Sequence, residues 1–516
     1  MKLRNILYTA FLAAISTSCG DFLEPKSQSE YIPKDANALQ EMLIGTGYPT
    51  QNGGNPFLSY LEIFNDDIQQ QILEGYDFGE NNEGDKEPIG AMFSWQSDMF
   101  TIMEQKRYGN ISNVWEGAYA HILGANATLD YINSVSGTQE EKNYVIAQAL
   151  GLRAFYYYIL VNYYGAPYNY NKKALGVPLK LDSGMREESD ILLERNTVEE
   201  VYKQIIADLN EAERLFLSQP ANKQYQPNYL VSLPMIELLK SRVYLYMENW
   251  PEARKYANKV IKDWSFTLLD LNSIALPDPG VKEPYFEFTS YKSPEVIWLY
   301  GNVQDLTSQS NNYLSKENTN NDTRKMFIAS ESLLSGFNTG DLRKDLYIVR
   351  EMEVYPIDPT QNIFYDTYLP FGKYKTSNSS PTSGSDSFAL SFRLSEAYLN
   401  FAEAAALDNA EGEAISAMNT LLEKRYTPET YTTVPNLSGE ALVNFIRDER
   451  RKELCFEGQR WFDLRRYGMP AFTRKWEGMT YTLTKNDCSY TLPLSKAIMD
   501  KNQKLDQNPL APKRVN

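Results

Sequence analysis

Helical periodicity over residues 112–164 constrains the fold more than any other feature of this chain. Apolar side chains recur there at positions i, i+4, i+7 and i+8, as Trp115, Tyr119, Ile122 and Leu123. This spacing places them on one face of an α-helix. Because such a face must be buried against other helices, the pattern predicts a mostly α fold.

Start and stop signals divide the following sequence into more helices. One is predicted from about residue 139 to 164. Thr197 and Glu200 have the spacing of a capping box, in which two side chains satisfy free amide groups at a helix N-terminus. The helices predicted around 234–248 and 250–260 are joined by a short turn, and this hairpin resembles a tetratricopeptide unit.

The pattern predicts one domain over residues 37–516, with an interruption. Residues 265–389 are rich in proline, glycine, asparagine and serine and have little helical signal. We interpret them as an irregular, loop-rich insert on a tetratricopeptide-like scaffold formed by about 112–264 and 390–470. Short strands are predicted at 296–300 and 346–354, and later helices at 392–407, 411–425 and 439–467.

The N-terminus has the pattern of an exported lipoprotein. Two basic residues precede an apolar run over residues 6–15, and small residues lead into Cys19. The run is too short to span a bilayer and fits a signal peptide over residues 1–18. Acylation of Cys19 would anchor the mature chain, with residues 19–36 as a flexible tether. An ordinary signal peptide with an incidental cysteine is the alternative.

Charge and rare residues argue against several classes of function. The formal net charge is −16, whereas nucleic acids require a basic surface, so no nucleic-acid partner is expected. His121 is the single histidine, which nearly excludes the usual zinc sites and histidine-dependent catalysis. Its helical context favours a structural role. We expect no cofactor and no metal.

A stripe of charges continues an apolar helix face near the C-terminus. Leu442, Phe445 and Ile446 set that face. At steps of three and four residues it reaches Glu449, Arg450, Glu453, Glu457 and Arg460. Charges that point inward must be paired, because isolated buried charges are too costly. Each acid has a basic neighbour within one helical turn, which favours a structural ion network over catalytic carboxylates.

Five segments, in matching order, resemble signature motifs of the RagB/SusD family of outer-membrane lipoproteins. The sharpest is the run from Arg450 to Arg465, which contains Glu453-Leu454, Glu457-Gly458 and Trp461-Phe462-Asp463-Leu464. The other four segments are residues 115–126, 152–167, 393–404 and 492–509. The resemblance therefore extends over nearly the whole mature chain.

This resemblance implies a nutrient-binding protein that is not an enzyme. Such proteins lie outside the outer membrane, cap a SusC-type TonB-dependent transporter, and bind glycans or sometimes peptides. The family has tetratricopeptide-like helices and a loop-rich portion that carries the ligand surface. A peptide-binding lid, a purely structural lid and a surface glycosidase with two carboxylates stay as alternatives.

Exposed aromatic side chains in loops are the candidate ligand-binding residues, because a flat ring packs on the apolar face of a sugar while amides bind its hydroxyls. By this criterion Trp95 comes first, followed by Tyr76 and Tyr313. Local packing is the alternative for each, and it is the role expected of Trp298. Residues 81–85 could hold calcium but lack the spacing of an EF-hand.

Overall fold

The structure of this protein is a computed structural model that describes most of the chain. The described residues are 33–49, 61–71, 83–107, 113–184, 192–276, 288–302, 327–358, 361–369, 373 and 388–514. The predicted signal peptide, Cys19 and most of the predicted tether lie outside them.

Within these ranges the protein is mostly helical with four two-stranded sheets, as predicted. The helices are α1 (Ala36–Thr46), α2 (Leu61–Phe64), α3 (Glu83–Phe93), α4 (Met99–Gln105), α5 (Asn113–Tyr131), α6 (Gln139–Tyr164), α7 (Tyr168–Asn171), α8 (Val198–Leu217), α9 (Ala221–Gln224), α10 (Leu233–Tyr246), α11 (Trp250–Lys262), α12 (Glu331–Leu334), α13 (Arg343–Tyr347), α14 (Leu394–Leu407), α15 (Glu411–Leu422), α16 (Gly439–Glu453), α17 (Arg460–Arg466) and α18 (Lys496–Lys501).

The strands are β1 (Ile68–Gln70), β2 (Val296–Asn302), β3 (Phe327–Ala329), β4 (Val349–Asp358), β5 (Gln361–Leu369), β6 (Phe388–Arg393), β7 (Phe472–Trp476) and β8 (Met479–Leu483). They pair antiparallel as β1–β3, β2–β6, β4–β5 and β7–β8. The β2–β6 pair places Asn302 opposite Phe388. The two strands therefore bring together residues 302 and 388, which are far apart in the sequence.

Helix α6 is the centre of the core. Thr138 and Glu141 form a capping box at its N-terminus, and Gly165 is its C-cap. By length and composition α6 is the one helix in the described ranges that could cross a membrane, but 89% of its apolar stretch is buried inside the protein. From Ala147 to Tyr164 the helix is buried on every side because other elements pack around it.

The predicted capping box of α8 is confirmed. The Thr197 hydroxyl accepts a hydrogen bond from the Glu200 amide at 3.3 Å, and the Glu200 carboxylate accepts one from the Thr197 amide at 2.7 Å. Helices α10 and α11 form the predicted hairpin, with Asn249 as N-cap of the second helix.

The prediction of one helix over 439–467 is wrong. The structure has α16 and α17 instead, separated by a tight turn in which Phe456 has φ 60° and Gly458 has φ 71°. Glycine adopts such left-handed backbone without steric cost. The Gly458 amide donates to the Glu62 carboxylate at 2.8 Å, so the turn is tied to α2.

Two further expectations concern the insert. Trp298 on β2 is fully buried, which confirms its expected place in the core. The strand predicted from residue 346 begins at Val349, because Leu346 and Tyr347 belong to α13 and are buried.

Candidate functional site

Glu453 is the centre of a buried ion network. Its carboxylate accepts hydrogen bonds from Arg393 at 2.6 Å and from Arg425 at 2.9 and 3.0 Å, with Arg343 at 3.5 Å. Burial alone would raise the pKa of Glu453, but Arg425, Arg393 and Arg343 outweigh it and hold the pKa well below its usual range. The glutamate is therefore charged in the folded protein.

The network extends to both sides of Glu453 along the chain. Glu449 accepts from Arg343 at 2.6 Å and from Lys452 at 2.5 Å, while Glu457 accepts from Arg393 at 2.7 Å and from Lys373 at 2.6 Å. Among the described residues, the connected group has five acids and five bases, namely Glu295, Asp341, Glu449, Glu453, Glu457, Arg343, Lys373, Arg393, Arg425 and Lys452. Its formal charges balance.

The acids of the charged stripe have basic neighbours within one helical turn, yet most of their partners come from distant parts of the chain. The partners of Glu453 come from residues 28 to 110 positions away in sequence, and Arg460 pairs with Asp66 at 2.7 and 2.8 Å. Arg450 reaches Asp463, on the far side of the turn, at 2.8 Å. Long-range partners connect the C-terminal helices to the insert and to the segment that follows α2, which pairing within a helix would not do.

Glu403 shows how such pairing affects stability. It is fully buried, and its two carboxylate oxygens accept from Arg466 at 2.8 and 2.6 Å. Although burial raises the pKa of Glu403, Arg466 and Arg447 lower it to about 2. The usual value is 4.5. The carboxylate therefore contributes stability above pH 4.5 that is lost as the pH falls toward 2.

We predict that Glu403→Gln is less stable than wild type at pH 7 by about 3 kcal/mol, the value that a pKa difference of this size represents. The gap should shrink as the pH falls from 4.5 to 2, because the wild-type carboxylate then also loses its charge. Urea unfolding at a series of pH values measures it. Glu423→Gln, an exposed glutamate, should show no such trend, and a gap constant with pH would contradict the assignment.

The prediction that Trp95 is an exposed ligand-binding residue is wrong. Its side chain is fully buried, and its indole Nε1 donates to the Phe64 carbonyl at 2.9 Å. The ring lies edge-on to Phe472 at 5.1 Å and under the Arg474 guanidinium at 3.9 Å. Polar neighbours suggested exposure, but one of them, Gln96, is itself buried and bonds the backbone of Arg514.

The other predicted sites fall in different places. Tyr76 and Tyr313 lie outside the described residues. His121 is buried and stacks on Tyr156 at 4.9 Å, as expected of a packing residue. No cluster of three or more metal-ligating side chains occurs in the described part of the chain, and the first two residues of the run 81–85 lie outside it.

Two exposed aromatic side chains occur among the described residues, Tyr170 at 58% and Tyr229 at 37%. Two other aromatic rings lie beside Tyr229. Its ring lies 6.1 Å from Tyr48 and 6.0 Å from Phe388, between centroids. No contact of the Tyr170 ring with another aromatic ring is found in this part of the chain, so Tyr229 is the better candidate for a ligand-binding ring.

Three aromatic side chains hold the backbone around Tyr229 by hydrogen bonds. The buried Trp298 indole donates to the Tyr229 carbonyl at 2.8 Å. The Tyr291 hydroxyl donates to the Asn228 carbonyl, and the Tyr48 hydroxyl accepts from the Val231 amide at 2.9 Å. An exposed ring on a backbone held by three aromatic side chains loses little entropy when a ligand binds.

Polar and aromatic neighbours extend this area, which we call the Tyr229 surface (Tyr225, Gln226, Asn228 and Tyr229). Gln226 is exposed and the Tyr225 ring is half-buried against Phe266 at 5.0 Å. The criterion applied to Tyr313, an aromatic ring beside amides in a loop, selects this run equally well. Sequence reasoning missed it because the run directly precedes a strong helix signal.

Two family models match the chain. One, described as starch-binding and associating with the outer membrane, matches residues 21–245, and the other, described as the SusD family, matches residues 308–510. SusD-like proteins P25 and P38 of Formosa agariphila are 22% and 24% identical to it. The alignments cover 91% and 68% of this chain and 90% and 71% of those proteins.

Solved structures have the same fold. A SusD superfamily protein from Bacteroides thetaiotaomicron has a TM-score of 0.65 at 21% identity, covering 92% of this chain and 98% of its own. A SusD-like carbohydrate binding protein from Bacteroides vulgatus has a TM-score of 0.63 at 20% identity, covering 92% and 97%.

The chain belongs to the RagB/SusD family, since the two family models together match most of it. Proteins of this family are binding proteins and not enzymes. The glycosidase alternative is therefore set aside, and the buried carboxylates are interpreted as partners of arginine and lysine.

Proposed function

We propose that this protein binds a polysaccharide at the bacterial outer membrane, with the Tyr229 ring at the centre of the contact. The observation that carries the proposal is that Tyr229 is exposed while its backbone is held by Trp298, Tyr291 and Tyr48. A rigid ring beside amides suits a sugar, whose apolar face stacks and whose hydroxyls need donors and acceptors. The descriptions of the matching family model and of the B. vulgatus protein support this class of ligand.

The proposed setting is the cell surface. The motif ending at Cys19 and the resemblance to SusD-type lipoproteins support a lipid anchor, and residues 20–36 would serve as the tether. We propose that the protein caps a SusC-type TonB-dependent transporter and delivers oligosaccharides to it. Tethering keeps the ligand near the barrel, so a modest affinity suffices.

A binding screen tests the ligand class. The protein lacking residues 1–19 would be run through native gels that contain starch, pectin, xylan, alginate or no polysaccharide. Retardation in at least one of these gels is the expected result. Mobility unchanged in every gel, together with binding of a peptide library, would favour the peptide-binding alternative, and binding of neither would favour a purely structural lid.

The lipid anchor gives a separate prediction. Cys19→Ala should remove the protein from the outer-membrane fraction, because the thiol that carries the acyl chains is absent. Fractionation and immunoblotting measure this, with Cys488→Ala, an exposed cysteine elsewhere, as the matched control. Retention of the Cys19 variant in the membrane would contradict the lipoprotein assignment.

A further inference from the structure

A cleft of about 290 Å³ opens on the helical scaffold, away from the insert. It lies between α11, the ring of Phe401 on α14, and the start of α15 with the short segment before it. Its lining comprises Pro251, Arg254, Lys255, Asn258, Phe401, Asp408 and Glu413. This volume is just below the range of about 300–1,000 Å³ that is usual for small-molecule sites, so the cleft suits a small part of a larger ligand.

The floor and rim of the cleft have complementary chemistry. Phe401 is half-buried and offers part of a ring face, with the Arg254 guanidinium 5.7 Å from its centroid. Arg254 lies 2.5 Å from Glu413 and 3.6 Å from Asp408. Both acids are partly exposed, at 56% and 35%, so these ion pairs are weak and can exchange with ligand hydroxyls.

The charge of the lining favours a neutral ligand. The lining has two basic side chains, Arg254 and Lys255, and two acidic ones, Asp408 and Glu413. Arg254 pairs with both acids, whereas Lys255 pairs with Glu252 at 2.9 Å. Neither a polyanion nor a polycation gains from such a balanced rim. The exposed Asn258 amide adds a donor and an acceptor at the same edge. A ring with carboxylate, guanidinium and amide groups around it can bind the hydroxyls of an uncharged sugar.

Helices α10 and α11 connect the cleft to the Tyr229 surface. Tyr229 lies just before α10, and Pro251 follows the end of that helix. The 14 residues of α10 span roughly 21 Å at about 1.5 Å per residue. Pro251 is therefore about one helix length from Tyr229. Helix α11 then runs back along α10, as the ion pair of Lys259 with Glu237 shows, so the Asn258 side of the cleft lies nearer the Tyr229 surface.

We propose that this cleft, the Phe401 cleft, is a second sugar-binding subsite that contacts another part of the same polysaccharide. The proposal rests on the proposed function, in which the ligand is a polysaccharide. Once the Tyr229 surface holds one part of a chain, binding in the cleft becomes an intramolecular event at high effective concentration. A polymer that reaches both areas should therefore bind more tightly than a short oligosaccharide of the same sugars.

The test compares soluble starch with maltotriose by calorimetry, per binding site, on the protein lacking residues 1–19. If the gel screen retains another polysaccharide instead, that polymer and its trisaccharide are the probes. Wild type should bind the polymer at least tenfold more tightly than the trisaccharide. Asn258→Trp, which fills the cleft from an exposed position, should reduce this ratio to within about twofold and leave the trisaccharide affinity unchanged.

Two further variants complete the design. Arg254→Ala with Phe401→Ala removes the rim donor and the ring and should act like Asn258→Trp, and a urea unfolding curve checks its folding. Asn444→Trp, at an exposed asparagine on α16 outside the cleft lining, should keep the wild-type ratio.

The outcomes separate the two proposals. A wild-type ratio near one, or a tenfold ratio retained in Asn258→Trp, overturns the second subsite while glycan binding stands. Failure of wild type to bind any polysaccharide overturns the proposed function itself, and the subsite with it.

Discussion

Glu453→Gln is expected to lower the free energy of unfolding by about 3–5 kcal/mol, the usual cost of removing one partner from a buried ion pair. Glutamine has nearly the same shape and keeps an acceptor oxygen, so the effect isolates the charge. Arg343, Arg393 and Arg425 would then share fewer carboxylates, and each is buried. Urea unfolding followed by the fluorescence of the seven tryptophans measures the change.

A matched control lies on the same helix. Glu440 is exposed in the first turn of α16, and its replacement by glutamine should cost less than about 1 kcal/mol, as is usual for a surface charge near a helix N-terminus. Similar losses in the two variants would show that the Glu453 charge has no special weight in the network.

Tyr229→Ala is expected to have the largest effect on ligand binding. If the ring is the central contact, its loss should weaken polysaccharide affinity by about 10- to 30-fold, or about 1.4–2 kcal/mol, typical of an aromatic hot spot. Tyr229→Trp should retain most of the affinity, because a larger flat ring can still stack. Calorimetry with the polysaccharide retained in the gel screen provides the measurement.

Tyr170→Ala is the control for this experiment. Tyr170 is more exposed than Tyr229, yet no aromatic ring among the described residues supports it, so its loss should change affinity by less than twofold. If both variants bind like wild type, Tyr229 is not the ligand contact. Equal losses in both would mean that exposure alone, rather than a rigid backbone, selects the binding rings.

Much of the helical scaffold could be predicted because its signals are local. The Thr197 capping box needs side chains only three residues apart, and the α10–α11 hairpin needs only a turn residue between two apolar faces. The break between α16 and α17 was missed because Gly458 follows a charged run that reads as helix. Its left-handed backbone is tied to Glu62, nearly 400 residues away.

The candidate site could not be predicted from local signals, because the exposure of a ring depends on long-range packing. Trp95 met the sequence criterion but is buried, because its loop is covered by Phe472 and Arg474 from the C-terminal strands. Tyr229 met the same criterion and is exposed. Local sequence cannot separate the two, since exposure depends on which distant elements pack over a loop.

The sequence by itself determined the helical scaffold, the family and the presence of inward-facing charges near the C-terminus, because periodicity, caps and motifs are written in neighbouring residues. The tertiary structure alone decided the partners of those charges and the exposure of each aromatic ring. Glu453 is charged because three arginines from other parts of the chain surround it. Those distances are set by packing between elements far apart in sequence.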